Sequence, residues 1–460
     1  MKRKDIFRGT EHIHFIGIGG SGMCGIAEVI LNLGYRVSGS DLKDTEVTKR
    51  LRGLGAKIYI GHRKENIKDV DVVVYSSAVK EDNPEILYAR LNKIPTIPRA
   101  EMLAEIMKLK RGIAIAGTHG KTTTTSLVGS ILNYAGCNPT IVVGGKLFSI
   151  NSNAKLGKGE FLVCEADESD GSFLKLSPEY VIVTNIDNDH LDYYKNFENL
   201  KNSFKDFINK VPFYSKAVVC IDDKNINSIL DKVYKIVISY GIKNSADFSA
   251  KEIKFFKDLT EFDIYRGEKR LGNIKTFLKG YHNILNILGA SALAIEVGVE
   301  FNKIKEAVKN FSGVERRLQL IGEKRGVKVY DDYGHHPTEI KNTLQAIRKN
   351  FNGNLIVIFQ PHRYTRTKIL YKDFGKCFND ADFLFITDIY PAGEKPIKGV
   401  TGKLIYDSVR KFKKNVKYIP DKKDALEEVL KICKEGDIIL TLGAGDIKNL
   451  APIIVERLGK

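Results

Sequence analysis

Lys121 follows an apolar run and a glycine turn and precedes four threonines, in "GIAIAGTHGKTTTT". A lysine, a run of hydroxyls and backbone N–H groups at a helix start are the parts of a phosphate cradle. The common version reads G-x-x-x-x-G-K-[ST], with its first glycine six residues before the lysine. Six before Lys121 is Ile115, so the turn here is shorter: Gly117, Thr118, His119, Gly120, Lys121, Thr122, Thr123. Its N–H groups are expected to wrap the phosphates of ATP. Lys121 would neutralise β/γ charge, and the Thr122 hydroxyl would face Mg2+. If the lysine meets phosphate only when ATP is bound, Lys121→Ala should barely change stability.

Hard ligands follow two later apolar runs. "FLVCEADESDGSF" places Glu165, Asp167, Glu168 and Asp170 past one strand, and "VIVTNIDNDHLDYY" places Asp187, Asp189, His190 and Asp192 past another. Mg2+ takes oxygen ligands and keeps waters, so one carboxylate and one hydroxyl suffice beside a triphosphate. Earlier, "GIGGSG" (Gly17, Gly19, Gly20, Ser21, Gly22) follows a strand, with Asp41 ending the next one. That pattern fits NAD, but its physical content is a backbone able to approach any nucleoside diphosphate. "GYHNILN" offers His282, Asn283 and Asn286 to an adenine or ribose, or to a helix start. "VYDDYGHHPTEI" carries Asp331, Asp332, His335 and His336, and "FQPHRYTRT" carries His362, Arg363 and Arg366. Adjacent histidines point apart and no cysteine lies at metal spacing, which argues against zinc. Arginines three apart at a strand end suit a carboxylate or phosphate.

These groups need strand ends to hold them. Short Val/Ile/Leu/Phe runs alternate with helical patterns along the chain, and many runs end in Gly, Asp or Ser. That is how parallel strands covered on both faces read, so the class is α/β. Three blocks are expected: 1–107, Rossmann-like; 108–315, a P-loop-type mostly parallel sheet with a small antiparallel sheet near 222–278; and 316–460, Rossmann-like again. The 460 residues exceed what one core usually serves. The net charge of +17 reads as lysine spread over solvated surface, since no basic block interleaved with aromatics occurs; a nucleic-acid partner is not expected. Cys24, Cys137, Cys164, Cys220, Cys377 and Cys433 form no CxxC pair and read as reduced thiols. Neither a signal peptide nor a membrane span is expected, which points to the cytoplasm.

The motifs "GTHGKTTTT", "EADESDGSFL", "TNIDNDHLDYY", "GYHNILN", "GVERRLQ", "DDYGHHPTEI", "QPHRYTRT" and "LGAGDI" together resemble those of the Mur ligases, over essentially the whole chain. The resemblance implies a cytoplasmic, ATP- and Mg2+-dependent amide ligase of peptidoglycan synthesis, and hence of cell-wall biogenesis, cell shape and division. Within the family, the motifs resemble the members that join L-alanine to the lactyl carboxylate of UDP-N-acetylmuramate through an acyl phosphate. It implies UDP at Gly17, Gly19, Gly20, Ser21, Gly22 and Asp41. ATP would lie on Gly117–Thr123, His282, Asn283, Asn286 and Asp332, with Asp331 beside it. Metal would be held by Thr122, Glu165 and His190, and catalysis carried by Lys121, His335, Arg363 and Arg366. Sister ligases use a carbamylated lysine; no lysine here stands in a matching motif. A monomer or weak homodimer is expected, with no membrane partner. A ligase attaching a recycled peptide to the same sugar nucleotide is the alternative. A folylpolyglutamate synthetase would lack the first block. A dehydrogenase leaves the cradle unexplained, and a nucleic-acid ATPase leaves the third-block histidines unexplained.

Overall fold

A computed structural model describes residues 6–76, 78–147 and 152–459. Apolar runs predicted as strands assemble into three sheets. The first has five parallel strands in the order Lys57–Ile60, Arg36–Asp41, His12–Ile16, Val72–Tyr75, Thr96–Pro98. The chain leaves His12–Ile16 toward one side and later returns on the other. The glycine loop after Ile16 therefore sits where the strand order reverses, the place at which open α/β sheets bind ligands.

The central sheet has ten strands. Arg111–Ala116 lies between Tyr180–Val183 and Phe161–Glu165, parallel to both. That order alone brings the lysine turn and both acidic loops to one sheet end. The polar stretch forms Phe248–Phe255, Thr260–Arg266 and Lys269–Thr276. These strands extend the central sheet edge to edge, through a parallel pairing of Phe248–Phe255 with Ile236–Gly241.

The third sheet runs Gln319–Lys324, Val327–Asp332, Ile438–Leu442, Leu355–Phe359, Phe383–Ile386, Val416–Tyr418. Its first pair is antiparallel and the others are parallel. Side chains alternate across a strand. Val357 and Phe359 accordingly pack with Ile340, Leu344 and Ile347 of the helix Pro337–Arg348. Ile356 and Ile358 pack on the other face with Leu426, Val429, Ala451 and Ile454. A strand buried on both faces must be apolar throughout, which is why the run "LIVIF" was legible.

The chain forms two compact units. One runs to Ile253 and includes Glu261–Thr276 and Leu285–Ser312; the other comprises Lys254–Thr260, Phe277–Ile284 and Gly313 onward. Among the described residues, no helix is long and apolar enough to cross a membrane. Cys24, Cys164, Cys220 and Cys377 are buried, Cys137 and Cys433 half-buried, and all six are free thiols.

Candidate functional site

The turn after Arg111–Ala116 is held from outside. Asn185 accepts the His119 N–H at 2.9 Å and donates to the His119 carbonyl at 2.9 Å. Thr184 donates to that carbonyl at 2.6 Å. The Thr118 hydroxyl accepts from the Asp187 N–H at 2.9 Å, and the His119 ring meets the Asp187 carboxylate at 3.0 Å. Gly117 and Gly120 have φ of 139° and 84°, a region that side chains resist. A Cβ on Gly117 would overlap the Thr184 hydroxyl, and one on Gly120 would lie 2.6 Å from Asn286 Oδ1. Gly120 occupies the N-cap of the helix Lys121–Tyr134 and offers it no side-chain acceptor. The first N–H groups of that helix are thus available to an anion.

Lys121 does not wait in solvent. Its amine donates to the Gly117 carbonyl at 2.6 Å and to both Glu168 oxygens at 2.8 Å. Glu168 is 1 % exposed. Burial disfavours the charged amine, yet the carboxylates of Glu168 and then Asp167 outweigh it and hold the Lys121 pKa above its ordinary value. This corrects the expectation that Lys121→Ala would spare folding. Burial raises the Glu165 carboxyl, opposed by the Gly144 N–H at 2.8 Å and then by the charge of Lys121. The Thr122 hydroxyl also favours the charged Glu165 carboxylate. Asp167 is held low: burial works against its charge, and Lys121 and Arg99 overcome it. The His190 ring lies 3.8 Å from Glu168 and 3.6 Å from Asp189. Glu165 and Thr122 together form an oxygen donor set, and such a pair suits a hard cation such as Mg2+.

In the first sheet's loop, Gly17 has φ of 77° and donates to the Ser40 carbonyl. Asp41 turns back onto the loop and accepts the Gly19 N–H at 2.9 Å. Gly20 is the N-cap of the helix Ser21–Asn32, again without a side-chain acceptor. The Ser21 side chain lies outside the described residues. The Gly22 backbone lies against the Arg99 guanidinium; a Cβ there would come within 2.9 Å of Nη1.

In the second unit, Asp331 accepts from Arg316 Nε at 2.8 Å and from the Thr441 hydroxyl at 2.7 Å. Asp332 accepts the N–H groups of Leu318 and Gly334, both at 2.7 Å. Burial nevertheless pushes the Asp332 pKa up to about 6. His335 meets the Tyr333 carbonyl at 3.1 Å, and its ring lies 5.6 Å from that of His362. His336 caps the helix Pro337–Arg348 by accepting from the Thr338 N–H. Arg366 lies 3.3 Å from His362 Nδ1. Burial, then the charges of Arg366 and Arg363, lower the His362 pKa to about 4. Arg363 is exposed and has φ of 68°. His282, Asn283 and Asn286 make different contacts in the absence of nucleotide. Asn286 accepts from Thr124 at 3.2 Å beside the cradle, and Asn283 donates to the Lys279 carbonyl at 2.9 Å. Burial, then the charge of Arg317, lowers the His282 pKa to about 4.

Sequence reasoning missed three groups. Arg99 follows a proline in a segment without motif character. Asn185 sits inside a quoted motif, but its contact is with His119, in the turn after the neighbouring strand. Glu168 was one acid among four, and only the fold singles it out as Lys121's partner.

Profiles described as "Mur ligase family, catalytic domain", "Mur ligase middle domain" and "Mur ligase, glutamate ligase domain" match residues 12–111, 115–294 and 316–445. The UDP-N-acetylmuramate–L-alanine ligase of Geotalea uraniireducens is 55% identical, over 97% of this chain and 98% of its own. The crystal structure of UDP-N-acetylmuramate-alanine ligase from Thermotoga maritima is 32% identical, with a TM-score of 0.83 over 97% of this chain and 98% of the other. A murein peptide ligase from Psychrobacter arcticus is 25% identical, with a TM-score of 0.73 over 98% and 99%.

Proposed function

The chain belongs to the Mur ligase family, and from that premise we propose that it joins L-alanine to the lactyl carboxylate of UDP-N-acetylmuramate, with ATP converted to ADP and phosphate. It is an ATP-dependent ligase. The observation that carries this reading is Lys121, buried against Glu168 beside Glu165 and Thr122, at the start of an uncapped helix. A carboxylate is a poor acyl donor because its oxygen leaves badly. Transfer of the γ-phosphate to that oxygen gives an acyl phosphate with a good leaving group. Attack by the amine of L-alanine then forms the amide and releases phosphate.

Carboxylate and γ-phosphate repel each other, so the site must supply positive charge. Lys121 does so, handed from Glu168 to phosphate as ATP binds. Glu165 and Thr122 would hold Mg2+, which when bound neutralises phosphate charge. Gly17–Gly22 would take the UDP diphosphate, with Asp41 fixing the loop. In the second unit, Arg363, Arg366 and His335 are assigned to the amino acid, a carboxylate-bearing substrate that guanidinium groups recognise. The protein would work in the cytoplasm, where these nucleotides reside.

The test is ADP release with each acceptor separately and with both, alongside mass analysis of the product. Turnover with UDP-N-acetylmuramate and L-alanine is expected. Turnover with the same sugar nucleotide and a cell-wall peptide, but not with L-alanine, would favour the recycling ligase instead.

A further inference from the structure

The loop that follows the strand Phe383–Ile386 lies outside the sequence motifs, yet it grips the segment that bears Arg363 and Arg366. The Tyr390 N–H donates to the Pro361 carbonyl at 2.8 Å, and the Arg363 N–H donates to the Tyr390 carbonyl at 2.9 Å. The Tyr390 ring stacks on that of His362, with centroids 5.8 Å apart and planes 10° apart. Gly445, from "LGAGDI", leaves room for that ring: a Cβ there would lie 2.6 Å from Tyr390 Cγ. Glu394 completes the grip. One of its oxygens accepts the Thr365 N–H at 3.0 Å and the other accepts the Thr365 hydroxyl at 2.6 Å. Thr365 lies in the first turn of the helix Tyr364–Leu370, between the two arginines. The N-cap of that helix is Arg363, whose side chain makes no capping bond and has no acceptor to offer. A helix start usually takes its acceptor from the N-cap residue; here a carboxylate 29 residues beyond Thr365 supplies it. Its negative charge also suits that end of the helix dipole. The backbone is strained on both sides of the contact. Arg363 has φ of 68°, and Ala392 and Gly393, just before Glu394, have φ of 49° and 85°. Left-handed backbone at residues with side chains costs energy and persists where surrounding contacts hold it.

We infer that Glu394 is a positioning residue for the amino-acid substrate: by holding Thr365 it fixes the helix start, and with it the directions in which Arg363 and Arg366 present their guanidinium groups. The inference rests on the reading of these arginines as ligands of the amino acid. A helix of seven residues is too short to sustain itself, so its first turn depends on what caps it. Guanidinium recognises a carboxylate through a planar fork, which makes the contact sensitive to direction. A small displacement of the first turn would therefore be felt at the substrate. Both Glu394 oxygens are engaged by Thr365, so the carboxylate acts through the arginines and not on the substrate itself.

The experiment is steady-state ADP release by the full chain, with ATP, Mg2+ and UDP-N-acetylmuramate saturating and L-alanine varied, together with amide hydrogen exchange over residues 361–367. Loss of a charge-assisted contact in Glu394→Ala should raise the KM for L-alanine roughly tenfold and quicken exchange at Thr365 to a similar extent. The KM values for ATP and the sugar nucleotide should stay within about twofold, as expected for distant sites. Glu394→Gln keeps an oxygen for the Thr365 N–H and should recover most of the loss. Thr365→Val removes only the hydroxyl contact and should raise the KM for L-alanine about threefold. An unchanged KM for L-alanine in a folded Glu394→Ala protein would overturn the inference. So would equal rises in all three KM values with a lowered melting temperature, which mark a general structural brace. If Glu394→Ala does not fold, Thr365→Val carries the test: an unchanged KM for L-alanine there overturns the inference. A wild type that turns over with a cell-wall peptide and not with L-alanine would sink the L-alanine reading, and this inference is then read on the KM for the peptide. A rise there in Glu394→Ala supports it, and an unchanged value overturns it.

Discussion

Lys121 and Glu168 are each other's counterion, so the residue proposed to meet phosphate also bears on stability. Removing the lysine leaves a carboxylate that is 1 % exposed without its partner. Breaking a buried pair from one side typically costs about 3 kcal/mol or more. Lys121→Ala should therefore lower the urea midpoint clearly, and activity should fall roughly 10²-fold or more. A variant with wild-type stability would contradict the pairing. Asp332 is the second case. Its folded pKa is about 6, against about 3.9 in an unfolded chain. The native state keeps its proton over the window between, where the unfolded state has lost it. Stability from this group is complete below the lower value and is lost as pH rises through the upper one, by about 3 kcal/mol. Between pH 4 and pH 7 the urea midpoint of wild type should fall further than that of Asp332→Asn; equal changes would refute the assignment. Lys121 was legible as the residue that starts a helix after a glycine turn. Its partner was not, because Glu168 stands among other acids in the same loop and only the sheet order selects it.

At the scale of elements, strand ends do most of the positioning. The lysine turn, "EADES" and "TNIDNDH" were legible as strand-end loops because buried parallel strands read as unbroken apolar runs. That the three strands are neighbours was not legible, since parallel pairing leaves no local signature. The polar stretch after 222 was legible as strands but not as the continuation of the same sheet. The turn itself makes a clean comparison. Gly120 and Gly136 have φ of 84° and 89°. A Cβ on Gly136 meets nothing within 4 Å, whereas one on Gly120 lies 2.6 Å from Asn286 Oδ1. Alanine should cost about 1 kcal/mol of backbone strain at either site. Only Gly120→Ala should also weaken ATP binding, by about tenfold or more, in a nucleotide titration. Equal ATP affinity in the two variants would remove Asn286 and Gly120 from the cradle.

For the molecule as a whole, three sheets were legible because each block opens with its own motif at a strand end. The compact units follow a different division, since Lys254–Thr260 and Phe277–Ile284 group with the C-terminal part. Composition does not change at those residues, so nothing in the sequence marks them. The glycine loop carries the molecule-scale prediction about ligands. Despite "GIGGSG" and Asp41, NAD should not raise the melting temperature, while UDP should, because a ligand that binds only the native state stabilises it. A shift with NAD and none with UDP would reverse the diphosphate reading. The most direct test of the central claim is ADP release measured with ATP and Mg2+ while UDP-N-acetylmuramate and L-alanine are added separately and then together. Sustained release should need both, and the product should carry one alanine amide-linked to the lactyl carboxylate. Release that is indifferent to either acceptor, or that answers to a peptide and not to L-alanine, would contradict it.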